Sequence, residues 1–235
     1  MRRWANVKVY GGVIGLPYTD ANRTLLKTNT RSVTPELDNP QWLYRGNVYG
    51  AGSGISEFNV DLNGDGTYDG YTVDGVAYSE TGHSTSAGSV TVYTQVDVLG
   101  GTIYRNVLGG GSLASVGPPK ITQDYYAYRK GDTTEGQTSI GKQSLNLVNI
   151  GGLKIGDAYA PVIIGEAAGV AAGYGGNVFG GGRGEASLGS AFGTSIWTQV
   201  FVKNGANILG NVFGGGNAGE VLKDTDVQIG EKAGE

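Results

Sequence analysis

The sequence predicts an all-β fold, a parallel β-helix (β-solenoid) with several long loop insertions. Three observations support this fold class. A short glycine-ended motif occurs four times, a strand pattern with a two-residue period precedes it, and glycine supplies 44 of the 235 residues. Glycine tolerates the positive φ angles of tight corners, so glycine between short strands indicates a chain that turns often. We therefore expect one solenoid domain over residues 1–235, which starts and stops inside an array of coils.

The repeated motif has the consensus Gly-Asn-Val-aromatic-Gly-Gly-Gly. Its four copies begin at Gly46, Arg105, Gly176 and Gly210. The copies are unequally spaced, which predicts insertions between regular units near 16–45, 53–89, 112–146 and 153–175. In a stack of coils the repeated asparagines would form an amide ladder, and the triple glycines would be corners rather than a nucleotide-binding loop, because no helix follows them.

Stacking also predicts two side-chain rows on opposite faces of one sheet. One row would contain Val48, Val107, Val178 and Val212, and the other Tyr49, Leu108, Phe179 and Phe213. A strand with alternating inward and outward residues precedes the motif at 92–98 and 196–202, and similar patterns open the chain at 7–15 and close it at 225–230. Each coil would therefore consist of three short strands separated by glycine corners.

The motif blocks, together with the strand and turn before them, resemble the repeats of very large glycine-rich bacterial surface proteins that are described as adhesin-like. The resemblance covers the repeat blocks and leaves the insertions outside. It implies an exported protein at the cell surface or outside the cell, although residues 1–15 do not form a signal peptide because Lys8 and two glycines interrupt any apolar stretch. The partners that it implies are host or dietary glycans, surface proteins and the neighbouring coils of a larger parent chain.

Composition excludes several classes of function. The chain has no cysteine and one histidine, His83, so disulfides, thiolate sites and zinc sites are not expected. A net charge of −4 provides no basic surface for nucleic acid or anionic lipid. The longest uncharged runs are rich in glycine, serine and threonine, so we expect no membrane insertion.

One segment has the pattern of a calcium-binding loop. Residues 61–69 reproduce the first nine positions of an EF-hand-type loop and are similar to the calcium loops of dockerin-type modules. The predicted metal ligands are Asp61, Asn63, Asp65, Thr67 and Asp69. Position 12 is Thr72 instead of the usual glutamate, and the flanking segments 58–60 and 71–73 have strand patterns instead of helical ones. The sequence thus predicts a structural Ca²⁺ in an insertion, with a metal-free Asn-Gly-Asp-Gly hairpin turn as the alternative.

No catalytic residue is assigned from the sequence. Residues 136–143 nearly match a phosphate-binding loop but have Gln143 where a hydroxyl residue is needed. Glycoside hydrolysis needs two carboxyl groups about 5–9.5 Å apart, whereas Asp97 aligns with Phe201 in the repeats. A carbohydrate-active β-helix enzyme, a lyase or a hydrolase, stays the alternative, because folding could bring together acids of the insertions.

Aromatic residues are the candidate ligand contacts. Tyr93 and Trp197 align on the outward face of what we expect to be successive strands, and Tyr125, Tyr126 and Tyr128 cluster in one insertion. Flat rings with polar edges suit sugars and proteins, although they would equally cover the solenoid under its insertions. The resulting hypothesis is a non-catalytic stalk or adhesin that displays loops. A filament subunit that associates head to tail is a further alternative.

Overall fold

The computed structural model describes residues 2–17, 46–53, 58–59, 71–73, 76–78, 81–82, 88–117, 145–166, 175–184 and 193–230. Nineteen strands and no helix lie in these segments. In chain order the strands are β1 (Arg2–Val9), β2 (Val13–Ile14), β3 (Val48–Tyr49), β4 (Phe58–Asn59), β5 (Tyr71–Val73), β6 (Val76–Tyr78), β7 (Thr81–Gly82), β8 (Val90–Val98), β9 (Gly101–Ile103), β10 (Val107–Leu108), β11 (Leu145–Ile150), β12 (Lys154–Ile155), β13 (Ala158–Tyr159), β14 (Val162–Ile164), β15 (Val178–Phe179), β16 (Trp197–Val202), β17 (Ala206–Ile208), β18 (Val212–Phe213) and β19 (Thr225–Ile229).

Three parallel sheets account for thirteen of these strands and confirm the predicted solenoid. The first sheet has the order β1-β8-β11-β16-β19, the second β2-β9-β14-β17 and the third β3-β10-β15-β18. Strands follow one another in chain order in every sheet, so each coil takes one strand from each sheet in turn. Coil one is β1-β2-β3, coil two β8-β9-β10, coil three β11-β14-β15 and coil four β16-β17-β18, while β19 begins another turn.

Alternate side chains of the first sheet line the interior. Its central row consists of Val7, Val96, Val148, Val200 and Val227, which are in register across all five strands. The middle three of these valines are fully buried. Because burying one valine contributes roughly 1.5–3 kcal/mol relative to exposing it, such a row is a major source of stability.

The two predicted rows of the third sheet are confirmed. The four motif valines are in register and belong to the same hydrophobic core as the first sheet. On the opposite face, Leu108 is 1% exposed and Phe179 stacks on Phe213 with ring centroids 5.0 Å apart. Both faces of this sheet are therefore apolar in coils two and three.

The glycine corners are needed because neighbouring coils approach at backbone distance. A Cβ atom added to Gly109 would overlap the carbonyl oxygen of Gly180, and one added to Gly50 would overlap that of Gly109. No side chain fits between such backbones, so glycine is required at this corner of each coil. The prediction that these glycines form corners is confirmed.

The predicted asparagine ladder is also present. The main-chain N–H and the side-chain Nδ2 of Asn106 both donate to Oδ1 of Asn47, at 2.9 and 3.1 Å. Asn177 donates to Oδ1 of Asn106 in the same way, at 3.1 and 3.3 Å, and Asn211 to Oδ1 of Asn177, at 2.9 and 3.3 Å. Each amide thus satisfies main-chain and side-chain donors of the following coil, which fixes the register of the stack.

Two of the predicted insertion ranges extend too far into the coils. Strand β14 lies inside 153–175 but pairs with β9 and β17 in the second sheet. The antiparallel β12–β13 hairpin separates β14 from the first strand of its coil, which is why the repeat spacing did not reveal it. The range 112–146 likewise includes Leu145 and Asn146 of β11, and Val116, which bridges to Val90.

The insertion at 53–89 contains strands of its own. Segments 58–59 and 71–73 are strands, as predicted, but they do not pair with each other. Strand β4 pairs with β7 and β5 pairs with β6, both antiparallel. The calcium-type loop, residues 61–69, lies outside the described residues.

We predict that Asn106→Ala lowers the free energy of unfolding by about 1–3 kcal/mol, because both donors of Asn177 lose their acceptor and Asn47 loses the side-chain donor of residue 106. Denaturant unfolding would measure the change. Asn211→Ala is the matched control, because no donor to Asn211 Oδ1 occurs among the described residues, so its loss should be smaller. Equal losses in the two variants would contradict a ladder that holds the coils in register.

Candidate functional site

The residues proposed from the sequence fall into two groups. The metal ligands Asp61, Asn63, Asp65, Thr67 and Asp69, the tyrosines Tyr125, Tyr126 and Tyr128, and His83 lie outside the described residues. Tyr93 and Trp197 lie within them, on the outward face of the first sheet. That face is the candidate functional site.

Tyr93 and Trp197 share an outward row, but they do not lie on successive strands. Leu145 of β11 lies between them, in register with both. The expectation of adjacent strands was wrong because β11, with the sequence Leu-Asn-Leu-Val-Asn-Ile, lacks the Thr-Gln pair that β8 and β16 share. A buried leucine, 9% exposed, therefore separates the two rings.

A hydrogen-bonded network occupies the next rows of this face. The Tyr93 hydroxyl donates to Oε1 of Gln95 at 2.7 Å, and Nε2 of Gln95 donates to both carboxylate oxygens of Asp97, at 2.9 and 2.8 Å. Nδ2 of Asn149 donates to Oδ1 of Asp97 at 2.7 Å, while Nζ of Lys8 lies 4.0 Å from Oδ2. Asp97 is 7% exposed, so amide donors from two coils replace its water.

Burial, and secondarily the charge of Asp97, raises the pKa of Tyr93 above its usual 10.0. Both causes favour the neutral phenol, which donates the hydrogen bond to Gln95. The tyrosine therefore acts as a fixed hydrogen-bond donor in this network.

The register around Asp97 bears on catalysis. Asp97 faces Lys8 on one side and Asn149 on the other, and Phe201 lies one strand beyond Asn149. No acid follows Asp97 along this row of the described strands, and the described residues contain no group of three or more histidine, aspartate or glutamate side chains that could hold a metal. The network fixes the side chains on this face of the sheet, and Asp97 is the one carboxylate among its described members.

A buried ion pair lies at the corner between the second and third sheets. Arg105 stands where the other motif copies have glycine, and its guanidinium lies 2.7 Å from the Glu166 carboxylate, with side chains 4% and 9% exposed. The guanidinium also donates to the carbonyl oxygens of Tyr104 at 2.8 Å and Leu16 at 3.2 Å. Arg105 therefore ties coil two to the points where coils one and three leave their second-sheet strands.

The outward face of β1 was missed by the sequence reasoning. Trp4, Asn6, Lys8 and Tyr10 alternate with the inward residues of this strand and the residue after it, and all four are exposed. Trp4 is 73% and Tyr10 60% exposed. The two-residue alternation from position 4 to position 10 would have revealed the row, but the strand pattern was recognised only from Val7 onward.

Comparisons with known proteins add no relative. No protein-family model matches the chain, and neither a curated protein nor a solved structure matches it. The part of the chain that the structure describes contains no helix long and apolar enough to cross a membrane.

We predict that the free energy of unfolding falls as pH rises above about 10, because the unfolded chain ionises Tyr93 more readily than the folded one. Tyr93→Phe should make this alkaline decline shallower, although the variant also loses one hydrogen bond at neutral pH. Urea unfolding of both proteins from about pH 8 to about pH 11 would test this. Parallel pH profiles would show that Tyr93 does not contribute.

Proposed function

We propose that this chain is a non-catalytic repeat region of an exported bacterial surface protein, a stalk or adhesin that displays loops and outer faces for contact with glycans or surface proteins. The main supporting observation is that the coils stay in register although inserted segments interrupt the chain between them. Catalysis has no comparable support, since Asp97 is surrounded by amide donors and a lysine.

The base of the first long insertion shows how display is compatible with the stack. The chain leaves coil one after Ser53 and returns before Val90, and the Gly52 N–H donates to the Gly88 carbonyl at 3.0 Å. Ser53 also bridges to Ser112 of the next coil. Because departure and return are joined at one point, the inserted chain can vary without moving the coils.

In the third coil, too, both ends of an inserted segment are hydrogen bonded to neighbouring coils. Arg183 and Thr194, on either side of the insertion 185–192, both contact neighbouring coils: the Arg183 N–H donates to the Gly111 carbonyl at 2.8 Å, and the Thr194 carbonyl accepts from Val116 N–H at 2.8 Å. The described residues at both ends of these segments are therefore held by a stack whose coils are about 4.8 Å apart. A stiff support of this kind suits the display of inserted segments.

Retention on immobilised glycans tests the proposed function. The 235-residue protein would be passed over mucin glycans and plant polysaccharides with millimolar Ca²⁺ and with a chelator, and the eluate examined for released sugars. We expect saturable retention with no released product, and heat-unfolded protein serves as the control. Retention on no surface would contradict the adhesin, and released oligosaccharides would indicate the carbohydrate-active enzyme instead.

Calcium is the second part of the proposal. The side chains of Asp61, Asn63, Asp65 and Asp69 supply the hard oxygen ligands that Ca²⁺ prefers, and bound Ca²⁺ would stabilise the insertion that contains them.

We predict that millimolar Ca²⁺ raises the melting temperature and that a chelator reverses the rise, because a ligand bound only to the folded state stabilises it. Asp65→Ala should abolish the shift, whereas Asp157→Ala, an exposed acid in the β12–β13 turn, should leave it unchanged. Identical melting curves with Ca²⁺ and with chelator would contradict a structural Ca²⁺ bound by residues 61–69.

A further inference from the structure

We infer that the outward face of β1, formed by Trp4, Asn6, Lys8 and Tyr10, binds a neutral, extended oligosaccharide chain laid along the strand. The inference rests on the proposed function, because it names the site and the class of glycan through which such a protein would adhere. We call these four residues the β1 strip.

The spacing of the β1 strip suits a chain ligand. Outward residues of a strand are separated by about 6.6 Å, so the seven residues from Trp4 to Tyr10 span about 20 Å. An aromatic ring stands at each end of this span, and an amide and an ammonium group stand between them. A linear ligand several sugar units long could contact both rings and both polar groups at once.

The chemistry of the β1 strip matches that of a sugar chain. The C–H faces of pyranose rings are apolar and pack on aromatic rings, whereas their hydroxyl groups need donors and acceptors. The Asn6 amide offers both, and the Lys8 ammonium offers donors. The exposed rings of Trp4 and Tyr10, with polar groups between them, thus present both kinds of contact along one line.

The strip is rigid and accessible. Ala5, Val7 and Val9 point inward from the same strand, and β1 pairs with β8 from Trp4 through Val9 without interruption. The equivalent groups of coil two bind one another instead, since Gln95 and Asp97 are hydrogen bonded together. Asn6 and Lys8 of coil one thus remain exposed, whereas Gln95 and Asp97 of the neighbouring strand are hydrogen bonded to each other.

Charge favours a neutral ligand over an acidic one. The Lys8 ammonium lies 4.0 Å from the Asp97 carboxylate, and its side chain is 45% exposed. The carboxylate offsets the positive charge, so Lys8 would donate hydrogen bonds without attracting an anionic chain strongly. Asn6 adds no charge.

Calorimetric titration of the full chain with cellohexaose, a neutral β-linked hexasaccharide, tests the inference. We expect saturable binding, and we expect Trp4→Ala and Tyr10→Ala each to weaken it at least about tenfold. Tyr159→Ala is the matched control, because Tyr159 is an exposed aromatic residue of the β12–β13 hairpin and lies off the strip. Cellobiose, which is too short to reach both rings, should bind at least about tenfold more weakly than cellohexaose.

Three results would overturn the inference. The first is that cellohexaose does not bind, and the second is that the Trp4→Ala and Tyr10→Ala variants bind it as tightly as the unaltered protein. The third is that an acidic hexagalacturonate binds more tightly than cellohexaose and in a salt-sensitive way. Thermal melting of each variant shows whether the coil remains folded, since both rings are largely exposed and their removal should change the melting temperature little. If cellohexaose fails while the protein is still retained on other immobilised glycans, the β1 strip is wrong and the adhesin proposal stands.

Discussion

Every coil of this molecule depends on its neighbours for main-chain hydrogen bonds. Strands of two or three residues in the second and third sheets cannot form a stable sheet locally, so each must be repeated in the same register by the next coil. The asparagine ladder enforces that register, because Oδ1 of Asn47, Asn106 or Asn177 accepts both the main-chain and the side-chain donor of the following asparagine. Glycine corners follow from the same constraint, since the backbones that the ladder aligns come too close for a side chain.

This constraint divides the chain into positions that are fixed and positions that are free. Inward valines, ladder asparagines and corner glycines repeat because each contacts its own equivalent above and below. Outward residues of the first sheet contact different neighbours in each coil, as the Lys8, Asp97, Asn149 and Phe201 row shows. Sequence variation among coils is therefore greatest on the outer faces and in the insertions, where we propose the glycan-binding β1 strip and the calcium loop.

The predictions from sequence were confirmed where a residue packs against the equivalent residue of the next coil. The valine and aromatic rows of the third sheet followed from the motif because identical residues must occupy identical places. Strand β14 was missed because a hairpin displaces Val162–Ile164 from its expected spacing, and the strand pattern at β11 was not aligned with the repeats because Leu145–Ile150 lacks the Thr-Gln pair. The surroundings of Asp97 could not be predicted, since Asn149 reaches it from a strand that had not been assigned to a coil next to β8.

The central claim is that the repeats form one stack that the ladder holds in register, and that function lies outside it. Amide hydrogen exchange at Asn106 and Asn177 tests the claim most directly, because their main-chain N–H groups donate to side-chain oxygens of the preceding coil rather than to water. The account predicts that both exchange only through the opening that unfolds the stack, as slowly as the amides of the buried valines. Exchange as fast as that of an exposed loop would contradict the ladder and the register that it fixes.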